Sequence, residues 1–159
     1  VFNRRILLAS MATLPLATPA LARAHGYKAG DIQIGHPWSR AAPSGITGVG
    51  YLTLMNNGTT ADRLLGARAD IAVSAEIHQQ TEEGGIMRMR PVQGIDLPPG
   101  VLVKLEPNGF HIMLIGLKQA MAKDDRVPMT LIFQKAGEVR VELEVKAAGA
   151  RGGGHHHSG

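Results

Sequence analysis

The sequence predicts an all-β protein, built as a β-sandwich or Greek-key barrel. Three observations carry that expectation. Short apolar runs alternate with turn signals from Tyr27 to Lys146. Val139 to Val145 alternates apolar and charged residues, the pattern of a half-buried strand. No long stretch beyond the first two dozen residues keeps a helical period. With one Trp, two Tyr and three Phe in 159 residues, the core has to be largely aliphatic. No internal repeat is visible.

Residues 1–24 read as a cleavable export signal. Arg4 and Arg5 precede the apolar stretch Ile6 to Leu21, and Ala20, Ala22 and Ala24 offer an A-x-A-like cleavage site. Cleavage after Ala22 and after Ala24 fits equally well. Pro15 and Pro19 interrupt a run already short of the ~20 apolar residues a membrane span needs, so stable membrane insertion is not expected. Asn3-Arg4-Arg5-Ile6-Leu7-Leu8 also has a weak twin-arginine character, which leaves the export route, Sec or twin-arginine, open.

Within residues 25–146 the expected strands are Asp31 to Ile34, Gly50 to Asn56, Ala72 to Gln79, Ile86 to Val92, Val101 to Leu105, Phe110 to Leu114, Arg126 to Phe133 and Val139 to Val145. Asn56-Asn57-Gly58, Glu83-Gly84-Gly85, Pro98-Pro99-Gly100, Pro107-Asn108-Gly109 and Ala136-Gly137 supply the turns between them. Residues 147–159 turn Ala- and Gly-rich before His155, His156 and His157, the composition of a flexible tail.

The charge balance excludes one class of function. The chain carries 17 Lys and Arg against 13 Asp and Glu, a formal charge of +4. A cut after Ala24 removes Arg4, Arg5 and Arg23, leaving 14 basic against 13 acidic residues, or +1. The basicity belongs mostly to the leader, and no basic stripe with interleaved aromatics points to nucleic acid. There is no cysteine. That excludes a thiolate copper site of the blue-copper kind and thiol–disulfide chemistry by these residues.

Against that background four residues stand out: His78, Met89, His111 and Met113, spaced H-x10-M-x21-H-x-M. Two imidazoles and two thioethers form a soft, neutral donor set suited to Cu(I). A hairpin turning at Glu83-Gly84, or through a four-residue Glu82 to Gly85 loop, would set His78 directly opposite Met89 and Gln80 opposite Met87. Such pairs bring β-carbons within about 4.5–5.5 Å. His111 and Met113 lie two steps apart on one strand, so both face the same way, while Phe110, Ile112 and Leu114 face the core. Residue order alone does not bring the two pairs together.

Taken singly, each Met is more often core filler than ligand, and a lone strand His is usually no ligand either. The joint spacing is what counts. Met87 shares a face with Met89 and offers an alternative thioether. Met55, Met121 and Met129 have no partner and read as core or surface residues. His36 reads as structural. His25 would become an N-terminal amine-plus-imidazole donor for Cu(II) if cleavage follows Ala24. His155, His156 and His157 could hold a second, looser Cu(II).

The quartet also resembles, position for position, the motif of the periplasmic copper chaperones called PCu(A)C. The likeness extends to Gly30-Asp31-Ile32, His36-Pro37-Trp38-Ser39-Arg40, Met87-Arg88-Met89-Arg90-Pro91-Val92, Leu105 to Leu114 and Gly116-Leu117-Lys118. Asn108 departs from the family's frequent Gly. The resemblance implies a cupredoxin-like β-barrel with an exposed Cu(I) site at one end and a periplasmic, non-enzymatic carrier. It further implies delivery to the copper-accepting subunit of a haem–copper oxidase such as cytochrome c oxidase, together with a thiol-containing assembly partner. A monomer is expected. The alternatives are a copper-resistance or storage protein and, in a different class, a mononuclear copper enzyme using His25.

Overall fold

Most strands of this protein have one apolar and one mixed face, and the sheet wraps its apolar face around a single core. The computed structural model describes residues 26–151. The expected signal segment, His25 and His155 to His157 lie outside them. The strands are β1 (Gly26–Ala29), β2 (Ile32–Arg40), β3 (Gly48–Asn56), β4 (Asp62–Arg68), β5 (Ala72–Glu83), β6 (Ile86–Pro91), β7 (Ile95–Leu97), β8 (Leu102–Leu105), β9 (Phe110–Leu117), β10 (Arg126–Phe133) and β11 (Gly137–Lys146). They form one mixed sheet in the order β6-β5-β9-β8-β3-β2-β11-β10-β4-β7, with β1 on β2 and a second contact between β9 and β3. Most pairs are antiparallel; β11–β2 and β8–β9 are parallel. This is the all-β, cupredoxin-like fold the sequence predicts. Among the described residues no helix is long and apolar enough to cross a membrane.

The core is aliphatic as expected: Ile32, Ile34, Leu52, Leu54, Ile112, Leu114, Leu131 and Leu143 are all essentially inaccessible. Met121 and Met129 belong to it, each 1 % exposed. On β9 the even residues Ile112 and Leu114 point inward, which leaves His111 and Met113 on the outer face.

Three short strands, β1, β4 and β7, were not among those expected. β4 begins at Asp62, whose carboxylate accepts backbone N–H bonds from Arg63, Lys135 and Ala136. Burial works against its charge, but those donors, with Lys135 nearby, hold its carboxyl below the usual range. The strand is thus fixed by a polar clamp to the β10–β11 turn, which residue periodicity does not reveal.

β2 also runs further than expected, through His36-Pro37-Trp38. The pairing of β2 with β3 shifts between Gly35, opposite Thr53, and Trp38, opposite Tyr51. His36 takes a left-handed φ of 47° inside this bulge. The bulge swaps the faces of the strand residues beyond it. Without it, an even-numbered residue such as Trp38 would continue the inward set of Ile32 and Ile34. With it, Trp38 turns outward beside Tyr51, and Ser39 turns inward to donate to the Val49 carbonyl. The His36-Pro37-Trp38 segment is therefore structural, and its effect is to place an indole on the outer face.

Candidate metal centre

The β5–β6 hairpin corrects the expected register. Its pairs are Glu83 with Ile86, Gln80 with Met89 and His78 with Pro91. His78 does not lie directly opposite Met89. The cause is the turn. Gly84 and Gly85 form the two-residue loop, with φ of 60° and 78°. A type I′ hairpin needs positive φ at both central positions, which two glycines supply without strain and a Glu83-Gly84 loop would not. The slip is two residues, so every side chain keeps its face. Met89 sits one rung along from His78, a diagonal that long side chains can bridge.

The bringing together of the two pairs, left open by residue order, has a simple cause in the topology. The 21 residues between Met89 and His111 contain β7 and β8, after which β9 returns antiparallel beside β5. That sets His78 directly opposite His111 and Glu76 opposite Met113. Met113 in turn faces Val49 on β3. The two imidazole rings lie 6.0 Å apart between centroids, tilted by 43°. His78, His111 and Met113 thus form a compact group on the outer face, with Met89 approaching from the β6 edge.

Hydrogen bonds set the tautomer of each imidazole. His78 Nε2–H donates to Glu76 Oε2 at 2.9 Å, and His111 Nδ1–H donates to the Gly109 carbonyl at 3.0 Å. The remaining ring nitrogens, His78 Nδ1 and His111 Nε2, are buried and have no hydrogen-bond partner. A buried polar atom without a partner costs about 1–3 kcal/mol. Two such lone pairs on neighbouring rings, beside thioether sulfur, suit a soft cation that accepts both. Burial is the main influence on His111, lowering its pKa; the Gly109 carbonyl opposes this and His78 adds to it. His111 therefore stays neutral, in its ligating form, to lower pH than an ordinary imidazole.

Glu76 is the residue that sequence reasoning missed. Its signal was available, because a carboxylate two positions before His78 shares that face of a strand. Among the described residues no three or more His, Cys, Asp or Glu side chains are grouped to hold a metal. The Glu76 carboxylate takes up the Nε2 side of the His78 ring, which leaves Nδ1 as the unpartnered nitrogen.

The other candidates fare differently. Met87 pairs with Glu82 and is 49 % exposed, two residues further toward the hairpin tip than Met89. It shares the face but does not line the groove that contains Met89, His111 and Met113. Met55 is partly buried on β3, away from the site. His25, His155, His156 and His157 lie outside the described residues.

Fold and site together define a cupredoxin-like domain with a His–Met cluster on the outer face of its sheet. The sequence profile of the LpqE-like family matches residues 32–145. This chain belongs to that family, and solved structures similar to it include PCuAC domains. A curated relative, "Putative lipoprotein Lxx21020" of Leifsonia xyli subsp. xyli, is 31 % identical over 129 residues, which cover 80 % of this chain and 77 % of that protein. The copper-bound PCuAC domain from PmoF2 is 31 % identical with a TM-score of 0.67, covering 77 % of this chain and 98 % of that one. The CuI form of DR1885 from Deinococcus radiodurans is 26 % identical with a TM-score of 0.57, covering 83 % and 87 %.

Proposed function

We propose that this protein is a Cu(I) carrier of the cell envelope, holding its cargo through His78 Nδ1, His111 Nε2 and the sulfurs of Met89 and Met113. The observation that carries this reading is the pair of buried, unpartnered imidazole nitrogens on adjacent strands beside two methionines. Copper-bound relatives of the same fold support it, as does the absence of cysteine, which leaves thioether as the sulfur donor. Export to the periplasm is supported by the residue 1–24 pattern and by the lipoprotein name of the curated relative.

The chemistry is ligand exchange and not redox catalysis. Thioethers disfavour Cu(II), so the cargo is Cu(I), and neither methionine has to lose a proton to bind it. Met89 is the accessible donor at 51 % exposure. An incoming ligand from the acceptor displaces the Met89 sulfur first, then the Met113 sulfur and the imidazoles, with copper at +1 throughout. The acceptor is the copper-accepting subunit of a haem–copper oxidase, and a thiol-containing partner keeps its cysteines reduced, since this chain has none. Residues 155–157 provide a separate nitrogen site for Cu(II).

Cu(I) titration of His78→Ala and Met113→Ala variants against a competing chelator tests the site. Both should bind more weakly than wild type, and unchanged affinity in both would remove the assignment. Gene deletion tests the role: an oxidase defect rescued by added copper is expected, and copper sensitivity alone would favour storage.

A further inference from the structure

The bulge at His36-Pro37 does something that copper binding does not require. It turns Trp38 outward onto the same face as the His–Met cluster, opposite Tyr51. The two rings pack at 4.6 Å between centroids. Neither joins the main core cluster, although both are buried. Cations cover them. Arg40 lies 6.0 Å from the Trp38 ring and 5.6 Å from the Tyr51 ring, and Lys146 lies 5.1 Å from the Trp38 ring. Lys146 stands opposite Arg40 because β11 runs parallel to β2. These residues line one continuous groove of about 1260 Å³, open to solvent, together with Met89, His111 and Met113.

The charge of that groove is lopsided. Arg40, Lys104, Lys146 and Arg151 line it, against the single carboxylate Glu106. Four cations against one anion give +3, in a chain whose expected mature charge is only +1. The groove is larger than the ~300–1,000 Å³ usual for a small-molecule site. Its aromatic floor and spaced cations fit an extended polypeptide carrying carboxylates.

We propose that the Trp38–Tyr51 groove docks an acidic, extended segment of the copper acceptor, holding it alongside His111 and Met113 while ligands exchange. This deepens the carrier reading and rests on it for the partner's identity. The contact itself needs no copper. Arg40 and Lys146 leave the ring faces to pair with carboxylates, and the partner's apolar atoms take their place over Trp38. Charge steering of this kind acts mainly on the rate of encounter and falls with ionic strength.

Trp38 is the sole tryptophan of the sequence, so the metal-free protein reports on its own groove. The experiment titrates it with a dodeca-glutamate peptide and follows tryptophan emission, with dodeca-glutamine and dodeca-lysine in parallel. A saturable change with the glutamate peptide alone is expected, weakening at least about tenfold between low and 0.5 M salt. Arg40→Gln/Lys146→Gln should lose it, while Arg126→Gln/Arg140→Gln, on β10 and β11, should keep it. Lys146→Gln alone should weaken it several-fold, which covers the case of a double variant that fails to fold. Undiminished binding by the folded Arg40→Gln/Lys146→Gln protein would overturn the proposal. So would an emission change with phosphatidylglycerol vesicles and none with the peptide. Cu(I) affinity, measured separately by chelator competition, should stay within about twofold in the same double variant. A failed copper site shows in that second measurement, and a failed groove shows only in the first.

Discussion

His111 and Met89 are separated by one strand, yet their surroundings have little in common. His111 is 3 % exposed on β9, a strand paired with β5 and β3 and backed by the fully buried Ile112 and Leu114. Met89 is 51 % exposed on β6, an edge strand with no buried residue, held by β5 alone and turned by two glycines. The edge is blunted by Arg88 and Arg90, both paired with Glu83. Three of the four donors, His78, His111 and Met113, therefore sit on the paired strands β5 and β9 of the main sheet. The fourth, Met89, rides on a ribbon that can bend without disturbing the core. A carrier needs both properties, because it must hold its ion and still let a competing ligand in.

The contrast is sharpest if each arm loses its donor in turn. His111→Ala should cost at least ~100-fold in Cu(I) affinity, since it removes one imidazole and strands the other. It should also lower thermal stability by leaving a gap on the sheet. Met89→Leu keeps the volume and removes only the thioether, so affinity should fall about tenfold with stability unchanged within about 0.5 kcal/mol. Chelator competition and thermal melts on the two variants check both statements. Equal losses of stability would show that the arms are not built differently.

The hairpin tip offers a way to disturb one arm without touching any donor. Gly84→Val/Gly85→Val forces β-branched residues into left-handed φ at about 1–2 kcal/mol each. The added β-carbons themselves meet nothing, because no atom lies within 4 Å of either position. The strain should fall on β6 and spread Met89 away from His78. Copper release to a chelator should then speed up several-fold in stopped-flow while the core's melting temperature barely moves. A fall in melting temperature matching that of His111→Ala would argue against an independent ribbon.

Glu76→Ala probes the arm's other anchor. It removes the acceptor at His78 Nε2, so His78 can swing or change tautomer and no longer presents Nδ1 reliably. Orienting partners of this kind are worth about 10–100-fold in metal affinity, and the exposure of Glu76 puts this case at the lower end. Glu76→Gln retains an acceptor oxygen and should recover most of the loss in the same titration. Equal losses in both variants would point to charge and not orientation.

The two arms also differ in how far residue order exposed them. The face shared by His111 and Met113 followed from strand periodicity, as did the inward turn of Ile112 and Leu114. The hairpin was legible as a hairpin, and the Gly84-Gly85 pair carries its register, since glycine enters positive φ at both central positions without strain and Glu83 does not. The adjacency of His78 and His111 depends on β9 returning beside β5 after three intervening strands, a long-range pairing with no local signature. The Asp62 clamp that fixes β4 and the bulge that turns Trp38 outward escaped for the same reason. Each is settled by contacts between segments far apart in the chain.

Acidification should separate the arms by the smallest effect. Burial, reinforced by His78 and opposed by the Gly109 carbonyl, holds the His111 pKa below its unfolded value near 6.5. The unfolded chain therefore takes up this proton first as pH falls. Its stabilising contribution is complete above pH 6.5 and is lost as pH drops through that value toward the lower folded pKa. Melting temperatures of the metal-free protein should be level from pH 8 to 7 and then decline, and His111→Gln should decline less. Met89→Leu should follow the wild-type curve throughout, because a thioether has no proton to exchange. Cu(I) held as proposed, through His111 Nε2, should delay the decline, since the proton would have to displace the metal first. A metal-free protein whose melting temperature rises below pH 6.5 would reverse the sign and remove His111 as the group responsible.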